Sequence, residues 1–271
     1  MKTGSAIMMK KTNTDISIAT SQEVCRFLSE YSTRLLGCGA TCIRLEKNVQ
    51  RIALNYGKEI EITIMPRHVH LSVWDKEHPE PITAISSVQH AGISFNINTR
   101  LSELSWEIVD KKLNIDEAWK QFENITADDK QEKWLVLLLV TLANASFCRL
   151  FGGDIAAMLV VGVATFIGYC LKFILLAKSI DLRAVVLASS FVSSVLGATD
   201  CLFAIGTTPQ IALGSSVLYL IPGIPFLTSF SDMLYRYYTC AFSRFADAAV
   251  LTACLSVGLC GGMLLMNIGM F

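Results

Sequence analysis

The chain has 271 residues, with 23 basic and 23 acidic side chains, and this zero formal charge argues against nucleic acid as a partner. Hydrophobic residues make up 52% and charged residues 17%, below the quarter usual for a soluble domain, and mean hydropathy is +0.48. Two regimes lie under that average: up to about Lys133 charges, His and Pro are scattered, while from Trp134 onward long stretches carry no charge. The division predicts a soluble α+β domain over 1–130 and a membrane all-α bundle of about five transmembrane helices over 131–271.

The first 15 residues are polar and lack the long apolar core of a signal peptide, so the soluble domain is expected to stay in the cytoplasm. Thr20-Ser21-Gln22-Glu23 reads as a capping box, and Val24, Phe27, Leu28, Tyr31, Leu35 and Leu36 follow at helical spacing. A second helix is expected over 40–56, with Gly57 past its end. The period then drops to two, which predicts strands over 59–64, 68–74, 82–86 and 93–97. Helical spacing returns from Leu101, and Asn114-Ile115-Asp116-Glu117 looks like a fresh cap before Ala118, Trp119 and Phe122. About 130 residues suffice for one core in such a domain.

His68 and His70 fall on one strand face, with His78 and His90 close in sequence. No carboxylate or cysteine stands at a recognised ligand spacing, and there is no HExxH or GxSxG segment, so the histidines are read as solvated and neither metal nor cofactor is expected. None of the nine cysteines forms a CxxC pair. Cys148, Cys170, Cys201, Cys240, Cys254 and Cys260 lie in or beside apolar runs and are expected as buried, reduced thiols.

Five apolar runs follow, over 134–151, 155–177, 184–205, 211–230 and 246–270. Each holds enough residues to cross roughly 30 Å of hydrocarbon at about 1.5 Å per residue. Lys172, Lys178 and Arg183 gather at the second–third loop, and Arg236 and Arg244 at the fourth–fifth, whereas the third–fourth loop has no basic residue. By the positive-inside rule the N-terminus is cytoplasmic and, with five spans, the C-terminus is outside.

The fourth run contains Leu220-Ile221-Pro222-Gly223-Ile224-Pro225. Two prolines three apart remove backbone donors, and such a break survives at membrane depth only inside protein or beside a watery cavity. Broken spans of this kind bind charged substrate groups in transporters. Asp232 follows seven residues after Pro225, where it can couple a proton or hold an ammonium. Arg149 stands near the outer end of the first span, with Asp154 and Asp200 at the same level as potential ion-pair partners. Asn144, Ser215, Ser216 and Asn267 are polar residues within spans, suited to hydrogen bonds between helices. The candidate substrate-binding set is Pro222, Gly223, Pro225, Asp232, Arg149, Ser215 and Ser216.

Three segments carry a family resemblance: Leu35-Leu36-Gly37-Cys38-Gly39-Ala40, Phe147-Cys148-Arg149-Leu150-Phe151-Gly152-Gly153-Asp154, and Ser215-Ser216-Val217-Leu218-Tyr219-Leu220-Ile221-Pro222-Gly223-Ile224-Pro225 with Ser231-Asp232. From about Val24 to the C-terminus the chain resembles the threonine/serine exporter (ThrE) family, most closely its shorter YjjP-type subunit. The resemblance implies an inner-membrane exporter of small polar metabolites rather than an enzyme. Its substrates would be amino acids such as threonine and serine, or dicarboxylates such as succinate in the YjjP-type branch. It also implies a drive from the membrane gradient, in agreement with the lack of a Walker A sequence, and a separate small YjjB-type membrane subunit as partner. The polar lead before Val24 departs from the family pattern, and the histidines match no family motif. Two readings remain beside it: a membrane-anchored enzyme or sensor working through the soluble domain, and a scaffold for a partner membrane subunit.

Overall fold

The computed structural model describes residues 19–77, 80–88, 92–127, 132–203 and 206–268. His78 and His90 lie outside them, as does the polar lead up to residue 18. The chain forms two compact units, Met1–Asp128 and Asp129–Phe271.

In the first unit, helices α1 (Ser21–Gly37) and α2 (Cys42–Asn55) precede strands β1 (Lys58–Ile64), β2 (His68–Asp75) and β3 (Ile82–Ser87), and helices α3 (Phe95–Asp110) and α4 (Ile115–Ala127) follow. The capping box forms: Thr20 Oγ1 accepts from the Glu23 N–H at 3.2 Å, and the Glu23 carboxylate accepts from the Thr20 N–H at 2.9 Å. Asn114 and Glu117 make the same reciprocal pair before α4. The three strands are antiparallel in the order β1-β2-β3, with Leu71 opposite Ile62 on one side and Ala84 on the other. Alternation puts Val69, Leu71 and Val73 into a core shared with Val24, Phe27, Leu28, Tyr31, Ile97 and Leu101. His68 and His70 take the opposite face, and His70 stands between Thr63 and Ile85 of the flanking strands.

The strand expected over 93–97 does not form. Ser94 instead caps α3, its Oγ accepting from the Ile97 N–H, and Ile97, Leu101, Leu104 and Ile108 are buried along one helix face. Three apolar residues at period two give way to a longer repeat at period 3.6 when a capping serine stands before it.

The second unit is helical: α5 (Lys133–Leu150), α6 (Ile155–Ala177), α7 (Leu182–Gly197), a short α8 (Thr199–Phe203), α9 (Pro209–Ser215), a 3₁₀ turn (Leu218–Leu220), α10 (Gly223–Leu234) and α11 (Tyr238–Leu265). Among the described residues, four stretches are long and apolar enough to cross a membrane, with α7 and α8 counted together, and five if Pro209–Leu220 and Gly223–Leu234 are one broken span. The last helix starts eight residues before the expected 246, so Arg244 lies within α11 and not in a loop.

Helices α7 and α11 are joined by small residues. A Cβ on Gly258 would stand 2.5 Å from the Leu187 carbonyl oxygen, and one on Gly262 would strike the Ser194 side chain. The close approach lets Ser190 donate to the Leu255 carbonyl at 2.7 Å and Ser194 to the Leu259 carbonyl at 2.9 Å. None of the nine cysteines, all among the described residues, is in a disulfide. Cys148 and Cys240 are buried, but Cys260 is exposed on α11, contrary to the expectation of buried thiols.

Candidate substrate-binding region

The fourth apolar run breaks at Ile221-Pro222, and the two helical pieces, Pro209–Leu220 and Gly223–Leu234, meet at 61°. The prolines act differently from two kinks inside one helix. Pro222 has φ −79° and ψ 58°, and the Gly223 N–H donates to the Ile221 carbonyl at 2.8 Å, which is an inverse γ-turn centred on Pro222. Pro225 sits in the first turn of α10, where a helix has no internal acceptor for the missing N–H. The prolines therefore start a new helix at low cost rather than damage an old one. A Cβ on Gly223 would meet nothing within 4 Å, so this corner is open.

Polar side chains from three neighbouring helices surround the broken segment. Asn144 of α5 donates through Nδ2 to the Ser215 carbonyl at 3.0 Å and to Thr165 Oγ1 of α6 at 2.6 Å. Ser193 of α7 shares a 2.9 Å hydrogen bond with the Tyr219 hydroxyl of the 3₁₀ turn. Tyr219 reaches it because Gly168 leaves room: a Cβ there would strike both the Ser193 and Tyr219 oxygens. Ser216 donates to the Leu213 carbonyl at 2.7 Å and packs its Cβ against Gly197. Ser189, one turn before Ser193, is buried, and its hydroxyl has no hydrogen-bond partner among the described residues. The segment thus runs through a polar interior, although α5, α6 and α7 are apolar overall.

The remaining candidates stand at opposite ends of this unit. Asp232, near the end of α10, is fully buried and paired with Arg244 of α11 at 3.1 Å. Ser229, one turn earlier, donates to the Ala241 carbonyl at 2.7 Å. These two contacts cross, because the Ala241 carbonyl points toward the C-terminus of α11 while the Arg244 side chain leans toward its N-terminus. Arg149 lies at the other end, exposed, and donates to the Gly153 carbonyl at 3.0 Å. Its expected partners are occupied differently. Asp154 caps α6 by accepting from the Ala157 N–H at 2.7 Å, and it also accepts from the amide and hydroxyl of Thr207. Those amides hold the Asp154 carboxyl below the usual carboxylate range. Asp200 accepts from the Gly206 N–H at 2.8 Å.

Sequence reasoning singled out Ser215, Ser216 and both prolines, but not Ser193, Tyr219 or the pairing of Arg244 with Asp232, which the structure adds to the candidates. Serine pairs at 189/190 and 193/194, four residues apart, were the available signal for the polar seam of α7. Among the described residues, no three His, Cys, Asp or Glu side chains converge on a metal-sized site.

Against known proteins, the family described as "Putative threonine/serine exporter" matches residues 26–266. The "Probable succinate transporter subunit YjjP" of Klebsiella aerogenes is 25% identical over 237 residues, covering 87% of this chain and 91% of that protein. The protein of the same name from Escherichia coli K12 is 28% identical over 127 residues, 46% of this chain and 50% of its own length. No solved structure matches.

Proposed function

The chain belongs to the threonine/serine exporter family, a multi-pass membrane exporter and not an enzyme, and on that premise we propose that it is one subunit of a gradient-driven exporter of small polar metabolites. The observation that carries the reading is the break at Ile221-Pro222, with the 3₁₀ turn before it held among Asn144, Thr165 and Ser193. Unwound backbone at membrane depth is affordable only where protein or water satisfies it, and there it gives a passing solute polar groups to bind. Pro222, Gly223, Pro225, Ser215 and Ser216 form the central part of the substrate path. Asp232 and Arg149 stand at its two ends, Asp232 as one half of a charge pair that separates when the inner end opens.

Two substrate classes fit the family: threonine- or serine-type amino acids, and dicarboxylates such as the succinate of the relatives' names. The break itself favours the first class. Pro222 and Pro225 have no N–H and the Gly223 N–H is already bonded, so the start of α10 is poor in donors. An ammonium or hydroxyl group suits such a site better than a second carboxylate does. The exporter works in the inner membrane with the soluble unit in the cytoplasm, because Lys172, Lys178, Arg183 and Arg236 cluster at one end of the bundle. The exposed flanks of the bundle meet lipid and a small YjjB-type subunit, in keeping with the word "subunit" in the relatives' names.

Proteoliposomes holding this chain and the partner subunit, loaded in turn with labelled threonine, serine and succinate, test the proposal. Efflux of at least one substrate, accelerated by an imposed proton or sodium gradient, is the expected result. Gradient-independent leakage equal to that of empty liposomes for all three would refute it. Cysteines at Ser179 and Thr207 test the orientation: the first should label only from the cytoplasmic side and the second only from outside.

A further inference from the structure

We propose that Asp200 is the coupling-cation site of the transporter, binding one positive charge, a proton or a sodium ion, at its free carboxylate oxygen. This rests on the gradient-driven reading above but draws on a residue outside the substrate path just described.

Asp200 lies in the short α8, at the end of the third span, and is fully buried. Its Oδ1 accepts from the Gly206 N–H, whereas Oδ2 has no hydrogen-bond partner among the described residues. A buried carboxylate oxygen with no donor is among the most expensive groups a protein can carry. Among the described residues, no cationic side chain is paired with it. Arg149 is exposed and bonded to Gly153, and the one basic residue of α7, Arg183, lies at the opposite end of that helix. The titratable neighbours are the Cys148 thiol of α5, which feels both Asp154 and Asp200, and Cys201 next in the chain; α9 carries no titratable group.

Asp154 provides the internal contrast. The two carboxylates are bonded to consecutive amides, Asp200 to Gly206 and Asp154 to Thr207. Asp154 is a capping residue whose oxygens accept from Ala157 and from both Thr207 groups. Asp200 caps nothing, and half of its carboxylate is held ready. A mobile cation from the medium supplies what the fold leaves out. If it is a proton, it arrives from bulk water, forms an O–H bond at Oδ2, and leaves to bulk water on the other side when the site re-exposes. If it is sodium, the ion is held electrostatically and no bond is made or broken.

Dicyclohexylcarbodiimide, which attacks buried protonated carboxyl groups, is the probe, applied to membranes containing the full chain and its partner subunit. Mass spectrometry should find the adduct on Asp200. Loss of labelling at raised pH, with sodium irrelevant, identifies a proton site; protection by sodium at fixed pH identifies a sodium site. An unlabelled Asp200, or labelling indifferent to both, overturns the proposal. In proteoliposomes, Asp200→Asn and Asp200→Glu should keep substrate exchange at equal concentrations on both sides, while Asp200→Asn loses gradient-driven efflux. Asp200→Asn efflux that still follows the gradient overturns it as well. If the wild-type chain moves no substrate, the exporter reading fails, and the labelling experiment still decides the cation site.

Discussion

Asp232 shows how far one residue can be read from a sequence. Its position after the broken span marked it, but its partner did not, since Arg244 belongs to a helix that begins earlier than hydropathy suggested. Pairing residues twelve apart needs the α10–α11 hairpin, whose tight turn puts Arg236 at a φ of 68° and returns the Tyr237 N–H to the Asp232 carbonyl. Removing one partner of such a pair strands a buried charge. Asp232→Asn and Arg244→Leu should each lower unfolding stability in detergent by about 3–5 kcal/mol, and the double substitution should cost less than either single one. Additive losses would show that the two side chains do not interact. The prolines invite the opposite expectation. Because Pro225 removes no hydrogen bond in the first turn of α10, Pro225→Ala should change thermal stability by no more than about 0.5 kcal/mol. A large loss would place Pro225 inside a continuous helix after all.

Among the elements, the legible ones carried both a repeat and a stop signal. Thr20 with Glu23, and Asn114 with Glu117, located two helix starts, and the uncharged runs located four spans. The stretch 93–97 misled because Phe95 and Ile97 fit a strand as well as the first turn of a helix, and only burial of Leu104 and Ile108 on the same face decides it. The seam between α7 and α11 left a fainter trace in Gly258 and Gly262, since glycines four apart reveal a close approach but not the helix approached. With the Leu187 carbonyl oxygen 2.5 Å from where its new methyl would stand, Gly258→Ala should cost about 1–3 kcal/mol and reduce the yield of folded protein on size-exclusion chromatography. Gly223→Ala, at an open corner, should leave that yield unchanged.

At the scale of the whole molecule, hydropathy alone suggests a division near residue 130; the chain forms two compact units, Met1–Asp128 and Asp129–Phe271. Composition could not reveal how the fourth run bends, because the sharp turn depends on the backbone angles of Ile221 and Pro222 rather than on polarity. The length of α11 has its own consequence. Twenty-eight residues make a rod of about 42 Å, and even at a tilt of about 20° it outreaches a hydrocarbon slab of about 30 Å by roughly 9 Å. Arg244 and Asp247 decide which end stands proud, and exposed Phe242 and Phe245 lie at the level where aromatic rings favour the headgroup layer. In the proposed exporter, such a surplus would set how far the hairpin carrying Asp232 sinks toward the lipid tails. Efflux should therefore vary with acyl-chain length in reconstituted bilayers, falling in thick membranes that draw Arg244 below the headgroups, and Phe242→Ala with Phe245→Ala should flatten that dependence.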